Sequence, residues 1–204
     1  MIVYGASGHG KVVIDILESI GEPTIAVWDD AEVAPVWEYQ IQQRIADQLD
    51  TKDKIIIAIG ANATRKKIAE RLGDTISFGR AAHAKAYISK RVSAIGAGTV
   101  VMAGAVVNPD VKIGRHCIIN TCASIDHDCV IGDYAHISPN VTLSGEVQVG
   151  EGTHVGSGAS VIQGIKIGNW CTIGAGAVVI MDIPDYATAV GNPARVIKIE
   201  RTKA

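Results

Sequence analysis

The run Ile119-Asn120-Thr121-Cys122-Ala123-Ser124-Ile125-Asp126-His127-Asp128-Cys129-Val130-Ile131 places an aliphatic residue at Ile119, Ile125 and Ile131, with a small residue two places before each, at Cys117, Ala123 and Cys129. Working outward, the aliphatic set recurs at every sixth residue without a break from Ile95 to Val179. Its partner set runs from Ser93 to Ala177 and, apart from Ile165, holds only small residues or Val. A helix repeats at about 3.6 residues and a simple strand at about 2. A period of six with a large aliphatic and a small partner is the signature of a left-handed parallel β-helix. Each six-residue step forms one side of a triangular prism, so residues 18 apart stack on one wall. The aliphatic set then fills the interior. Glycines near the corners (Gly96, Gly98, Gly114, Gly132, Gly150, Gly156, Gly158, Gly168, Gly174, Gly176) are expected to serve sharp backbone bends.

The remainder reads differently. Ile2-Val3-Tyr4 is a short strand, followed by the loop Gly5-Ala6-Ser7-Gly8-His9-Gly10 and a helix to Ile20 carrying Val12, Val13, Ile16 and Leu17 at helical spacing. Thr24 to Trp28 and Lys54 to Ile59 read as strands, Asn62 as the cap of a helix ending at Leu72, and Thr75 to Phe78 as a fourth strand. Glu38 to Leu49 reads as a helix on Ile41, Ile45 and Leu49. Strand–loop–helix alternation implies a small Rossmann-like parallel α/β domain over 1–80. A connector follows over 81–94, then the β-helix over 95–183 and a tail over 184–204.

The chain has 204 residues, 48% of them hydrophobic, and a net charge of −2. That balance gives no reason to expect nucleic acid or a membrane surface as partner. No apolar run reaches the roughly 20 residues of a membrane span, and the N-terminus lacks the cationic start of a signal peptide, so a cytoplasmic location is expected. Cys117, Cys129 and Cys171 occupy the small-residue register and read as buried hydrophobes, whereas Cys122 is off it and partly exposed. No CxxC pair suggests a disulfide framework or a zinc ribbon.

Four groups of residues could carry chemistry, one of them the Gly-rich last coils with Gly191-Asn192-Pro193-Ala194-Arg195, where an extended slot between prism walls would suit acetyl-CoA and Lys166, Arg195 and Lys198 are candidate phosphate partners or plain surface charges. The Gly5–Gly10 loop opens a helix, where backbone N–H groups and the helix dipole favour a phosphate. Gly8, His9 and Gly10 are its candidate contacts. Asp29 and Asp30 stand where a doubly wound domain places an acid on ribose hydroxyls. The spacing is GxxGxG and not the GxGxxG of NAD sites; His9 and Lys11 at the loop and the lack of a dehydrogenase constellation favour a nucleotide diphosphate, and a ligand-free strand–helix turn is the plain alternative. Second, His127 is off the aliphatic register and faces outward between Asp126 and Asp128, as a general base with an orienting carboxylate would, or as an ordinary surface histidine. Third, His136 and His154 are 18 apart and stack on one wall. His127 and His136 face different walls of one prism and meet only across a subunit boundary. A zinc site built from His116, His127, His136 and His154 of two chains is the competing reading; His116 is otherwise expected on the surface.

Taken together, YGASGHGKV at the start, Asp29-Asp30, Ala58-Ile59-Gly60, the run from Asn120 to Gly145 and the terminal VGNPARVI resemble the NeuD/PglD-type family of hexapeptide acetyltransferases. That family includes sialic acid O-acetyltransferases and nucleotide-sugar N-acetyltransferases. The resemblance implies a UDP-sugar in the N-terminal domain at Gly8, His9, Gly10, Asp29, Asp30 and Gly60. It implies acetyl-CoA on the β-helix, with His136, Gly145, Asn120, Gly174, Asn192, Pro193 and Arg195 as its candidate contacts. His127 would be the catalytic base and Asp128 its acid, where the PglD branch has Glu. The Gly145 N–H would face the thioester oxygen. No metal is expected. The implied enzyme is a homotrimeric sugar N-acetyltransferase of bacterial surface-glycan synthesis, its active sites between subunits. Sialic acid O-acetylation is the near alternative; a zinc-dependent hydratase and a non-catalytic nucleotide-sugar sensor are the distant ones.

Overall fold

The computed structural model describes residues 1–43, 53–73 and 76–200. The N-terminal domain is a parallel sheet of β1 (Ile2–Tyr4), β2 (Ala26–Asp29), β3 (Ile41–Gln43), β4 (Lys54–Ile57) and β5 (Ser77–Phe78), in the order β3-β2-β1-β4-β5. Helices α1 (Gly8–Ser19) and α2 (Asn62–Leu72) complete it. The strand order reverses between β1 and β4, and a doubly wound sheet opens its ligand crevice at the C-terminal ends of such a strand pair. Here those ends are the Gly5–Ser7 turn and Ala58–Gly60. Most of the helix expected over Glu38 to Leu49 lies outside the described residues, and Ile41–Gln43 within it is strand β3, paired to β2. Asn62 does not cap α2. Ala61 holds the cap position, and the Asn62 side chain reaches the carbonyl of Gly152 at 3.0 Å instead.

From Ala81 the chain winds into a parallel β-solenoid of two-residue strands: β6 (Ala81–Ala82), β7 (Tyr87–Ile88), β8 (Ala94–Ile95), and then a strand every six residues to β22 (Val178–Val179). They stack as three walls. The first starts at β6, the second at β7 and the third at β8. The segment read as a connector therefore supplies the first two strands. It was hidden because Ile88 pairs with Val107, 19 residues on, while Ile95 pairs with Ile113, 18 on. One extra residue between Ile88 and Ile95 breaks the count of six. After the last coil, β23 (Ala187–Val190) extends the first wall in parallel. β24 (Arg195–Ile199) then folds back on it antiparallel.

The interior is as the period of six requires. Ile119, Ile125, Ile131 and Ile137, with Cys117, Ala123, Cys129 and Ala135, are at most 2% exposed. Thr99 and Thr153 are tolerated there because each hydroxyl donates to a carbonyl (Gly114 O at 2.8 Å, Gly168 O at 2.7 Å) and accepts a backbone N–H. The corner glycines do a different job from the one expected at most positions. The left-handed bends fall largely on non-glycine residues such as His116 (φ 53°), Asp128 (φ 61°) and Tyr134 (φ 58°). Gly114 and Gly132 are instead places where one coil touches the next: a Cβ on Gly132 would stand 2.6 Å from the Glu151 nitrogen.

The α/β domain docks on the first wall and on the corner between the third and first walls. The apolar side of α1 shares a core with Val100, Met102 and Ile118. At the corner, Lys66 of α2 meets Glu151 at 2.6 Å and lies over the rings of Tyr134 and Trp170.

Candidate active site

His127 lies in the corner that joins the second wall to the third. Asp128 follows it in the left-handed conformation, which any residue dislikes but Asp tolerates better than most. That bend turns the Asp128 carboxylate back, so that its Oδ2 is 2.8 Å from His127 Nδ1. The imidazole Nδ1–H donates to the carboxylate, leaving a lone pair on Nε2. Asp126 supports the turn from the other side, accepting the His127 N–H at 2.8 Å and the Asn108 amide at 3.0 Å. The Asp128 hydrogen bond, with the charge of Asp126, raises the pKa of the exposed His127 above the usual imidazole value. One coil on, Gly145 lies beneath the ring: a Cβ there would stand 2.8 Å from Nε2. Gly145 is thus what makes room for the imidazole. A cleft of about 390 Å³ opens at the dyad, lined by Asp126, His127, Ser144, Gly145, Glu146, Gln163 and Gly164.

The other candidates gather elsewhere in the chain. A crevice of about 490 Å³ separates the start of α2, at Gly60 to Ala63, from His136, His154 and Trp170. His136 accepts from Asn120 Nδ2 at 3.0 Å, stacks on His154 at 4.8 Å between centroids, and is hydrogen bonded to the Gly60 backbone. Burial, then the neighbouring His154, pushes its pKa to about 3, so it is neutral. His9 is held near 4 by burial and by Arg65, and its Nε2 has no hydrogen-bond partner among the described residues. Gly8 and Gly60 would meet nothing with an added Cβ, so both face open space, whereas Gly10 packs on the Gly5 carbonyl.

The acidic pair is already engaged within the domain. Asp29 accepts the N–H groups of Ala6 (2.8 Å) and Ala31 (3.0 Å), and Asp30 pairs with Arg71 at 2.6 Å and with the Tyr4 hydroxyl. Asp29 thereby shapes the glycine loop itself.

The C-terminal candidates form a third group. Gly174 is covered by β23, with Val190 against it. Asn192 and Pro193 lie in the loop between β23 and β24, and Arg195 opens β24, donating to the Ala194 carbonyl at 3.0 Å. No described hydrogen bond joins these residues to the dyad. A larger groove of about 730 Å³ on the third wall is lined by Lys166 and by none of the other candidates above.

Two residues change meaning. His116 is buried, not on the surface: Phe78 meets its ring edge-on at 4.5 Å and Tyr134 stacks on it at 5.2 Å. Its register is outward, as read, but the α/β domain covers that corner. Burial lowers its pKa to about 4. Arg65 escaped the sequence reading altogether. It is 1% exposed, and its guanidinium donates to the carbonyls of His116, Ile59, Gly60 and Tyr134 and to Asn62 Oδ1. The signal was there: residues 65, 68, 69 and 72 form one face of α2, and the other three are Ile68, Ala69 and Leu72. Cys117 and Cys129, whose thiols burial pushes up to about 12 and about 11, are no nucleophiles, and Cys122 is exposed. No His, Cys, Asp or Glu cluster among the described residues has the makings of a metal site, and no described helix is long and apolar enough to cross a membrane.

Comparison with known proteins adds the following. The family model described as the PglD N-terminal domain matches residues 1–72, and the bacterial transferase hexapeptide model matches 93–127 and 146–180. The UDP-N-acetylbacillosamine N-acetyltransferase of Bacillus subtilis is 44% identical over 114 residues, about half of each chain, so the match spans about half the length of that curated relative. A histidine-to-asparagine mutant of perosamine N-acetyltransferase from Caulobacter crescentus, solved with CoA and GDP-perosamine, is 36% identical at a TM-score of 0.90, covering 97% of this chain and 96% of that one. The acetyltransferase domain of PglB from Neisseria gonorrhoeae, solved with acetyl coenzyme A, is 35% identical at a TM-score of 0.89, covering 96% and 98%.

Proposed function

The chain belongs to the family of hexapeptide-repeat sugar N-acetyltransferases that begin with a PglD-type domain, and from that premise we propose that it transfers the acetyl group of acetyl-CoA to the 4-amino group of a UDP-linked 4-amino-4,6-dideoxy sugar, in bacterial surface-glycan synthesis. The observation that carries the reading is the His127–Asp128 dyad over Gly145, a base with its tautomer set and its Nε2 at an open cleft. The sugar amine attacks the thioester carbonyl carbon while His127 Nε2 takes its proton. The tetrahedral oxyanion is met by a backbone N–H, with Gly145 the group nearest the base. The carbon–sulfur bond then breaks, the proton passes to the departing CoA thiolate, and the amide is left on the sugar. No metal takes part.

The crevice at Gly60, His136 and His154 faces the first wall, while the dyad sits at the corner of the second and third. A homotrimer whose crevice and dyad belong to neighbouring chains joins the two halves. A cytoplasmic location is part of the same proposal. The relatives differ in nucleotide, UDP in Bacillus and GDP in Caulobacter, so an acceptor panel is the test. Thiol release from acetyl-CoA is expected with UDP-linked 4-amino sugars and not with free sialic acid; turnover with sialic acid alone overturns the proposal. His127→Ala is expected to lose roughly 10²–10⁴-fold in kcat while melting as the wild type does. Retention of a tenth of the activity removes His127 from the role.

A further inference from the structure

We propose that Arg65 is a positioning residue for acetyl transfer: its buried guanidinium sets the distance between the acceptor crevice and the solenoid by tying the crevice loop to two successive solenoid corners. The inference rests on the reading that this crevice holds the nucleotide sugar.

Three features carry it. First, the connections. Arg65 Nη1 donates to the carbonyls of Ile59 (2.8 Å) and Gly60 (3.2 Å), which form the loop at the strand-order switch. Nε donates to His116 O and Nη2 to Tyr134 O, both at 2.8 Å; those two residues are 18 apart, in the same corner of successive coils. Nη2 also holds Asn62 Oδ1 at 2.9 Å, and Asn62 in turn donates to Gly152 O, the next coil up. One planar group thus fixes the loop, the start of α2 and the solenoid corner relative to each other.

Second, the choice of residue. Among the described residues no carboxylate pairs with Arg65, so its charge is held by carbonyl dipoles alone. Burying an ion costs several kcal/mol that such contacts only offset, and an apolar side chain of similar size would dock α2 as firmly. What a hydrophobe or a lysine lacks is the rigid fork of five donors, which specifies direction as well as proximity.

Third, the electrostatics at the crevice. Burial lowers the Arg65 pKa only to about 10, so the group stays cationic at neutral pH. Its charge is one of the causes that keep His9 and His136 unprotonated. With no anion of its own beside it, the guanidinium leaves a positive field at the loop, which suits the diphosphate of a nucleotide sugar. His136 is hydrogen bonded to Gly60 as well, so the same loop is held from the solenoid by a second, neutral group.

The test is Arg65→Lys in the full-length enzyme, with kcat and both KM values measured. Lysine keeps the charge but cannot reach five acceptors. The expected result is a KM for the nucleotide sugar raised and a kcat lowered, each by about tenfold. The KM for acetyl-CoA should rise less than that for the nucleotide sugar: nothing at the dyad corner contacts Arg65, and His136, a candidate contact of acetyl-CoA, is tied to the same loop only through Gly60. Wild-type kinetics with only a lower melting temperature would make the role purely structural and overturn the proposal, as would an equal rise in both KM values. If Arg65→Lys yields no soluble protein, Asn62→Ala removes one acceptor and leaves the guanidinium buried. It is expected to give the same split at about twofold, and unchanged kinetics for it overturn the proposal. A wild type inactive on every nucleotide sugar would defeat the functional reading; an active wild type matched by Arg65→Lys would defeat only the positioning role.

Discussion

Two corners of one solenoid carry a histidine each, and the two histidines have opposite chemistry. Both corners turn through a left-handed residue, His116 itself in one and Asp128 in the other. At the covered corner, His116 lies between Phe78 and Tyr134, and neither ring nitrogen has a hydrogen-bond partner among the described residues. Desolvation holds it neutral, near pKa 4. At the open corner, His127 is exposed with a carboxylate on Nδ1, and its pKa is raised. The backbone device is shared; what lies over the corner decides whether an imidazole is packed away or left open with a raised pKa. The lesson is that in a repeat fold the register says which residues face out, and only the docked domain says which of those still meet solvent.

That contrast can be broken at several points. The largest effect is expected at Gly145→Ala. The added methyl takes the place of the His127 ring, which is exposed and free to swing away, so the damage falls on geometry and not on folding. A misplaced base costs on the order of 10²-fold in kcat, with the melting temperature nearly unchanged; steady-state kinetics beside a thermal melt decide it. A smaller effect is expected at Asp128→Asn. Below the His127 pKa the base is protonated and the rate falls. With the carboxylate present that acid limb lies above the usual imidazole range, and without it the limb should move to lower pH. A pH profile of kcat/KM whose acid limb stays in place would separate Asp128 from the titration of the base. The smallest effect is expected at the covered corner. His116 titrates at about 4 folded and at the ordinary 6.5 unfolded, so the unfolded chain binds its proton first. Its contribution to stability is complete above about pH 6.5 and is lost as pH falls toward about 4, with no further change below. His116→Phe keeps the aromatic packing and removes that loss. Denaturant midpoints measured between those two pH values should then fall less steeply in the variant.

The solenoid was legible because every core position repeats. From Ile95 to Val179 a single register assigns each interior residue, and it rightly dismissed Cys117, Cys129 and Cys171 as chemistry. The first turn was not legible, because one extra residue between Ile88 and Ile95 defeats a count of six while leaving the strand pairing intact. The dyad was legible as neighbours in sequence, Asp126-His127-Asp128. The docking of the two domains was not: an interface formed once has no period, so it turned His116 from surface to core unannounced. Arg65 lay between these cases, a cation on the apolar face of α2 beside Ile68 and Leu72. The Asp29–Asp30 pair shows a further limit. Its position matched the place where a ribose is held, yet both carboxylates have partners inside the domain, which sequence spacing does not reveal.

The strand β24 has a consequence for the edge of the first wall. A stack of parallel coils is an open-ended pattern: its last rung presents the same row of donors and acceptors as the one before, ready for another chain to continue it. By reversing direction on the first wall, β24 presents a rung that an incoming parallel coil does not match. On that wall the parallel stack is closed by a strand of opposite sense, and its outer edge offers the donor and acceptor pattern of an antiparallel rung.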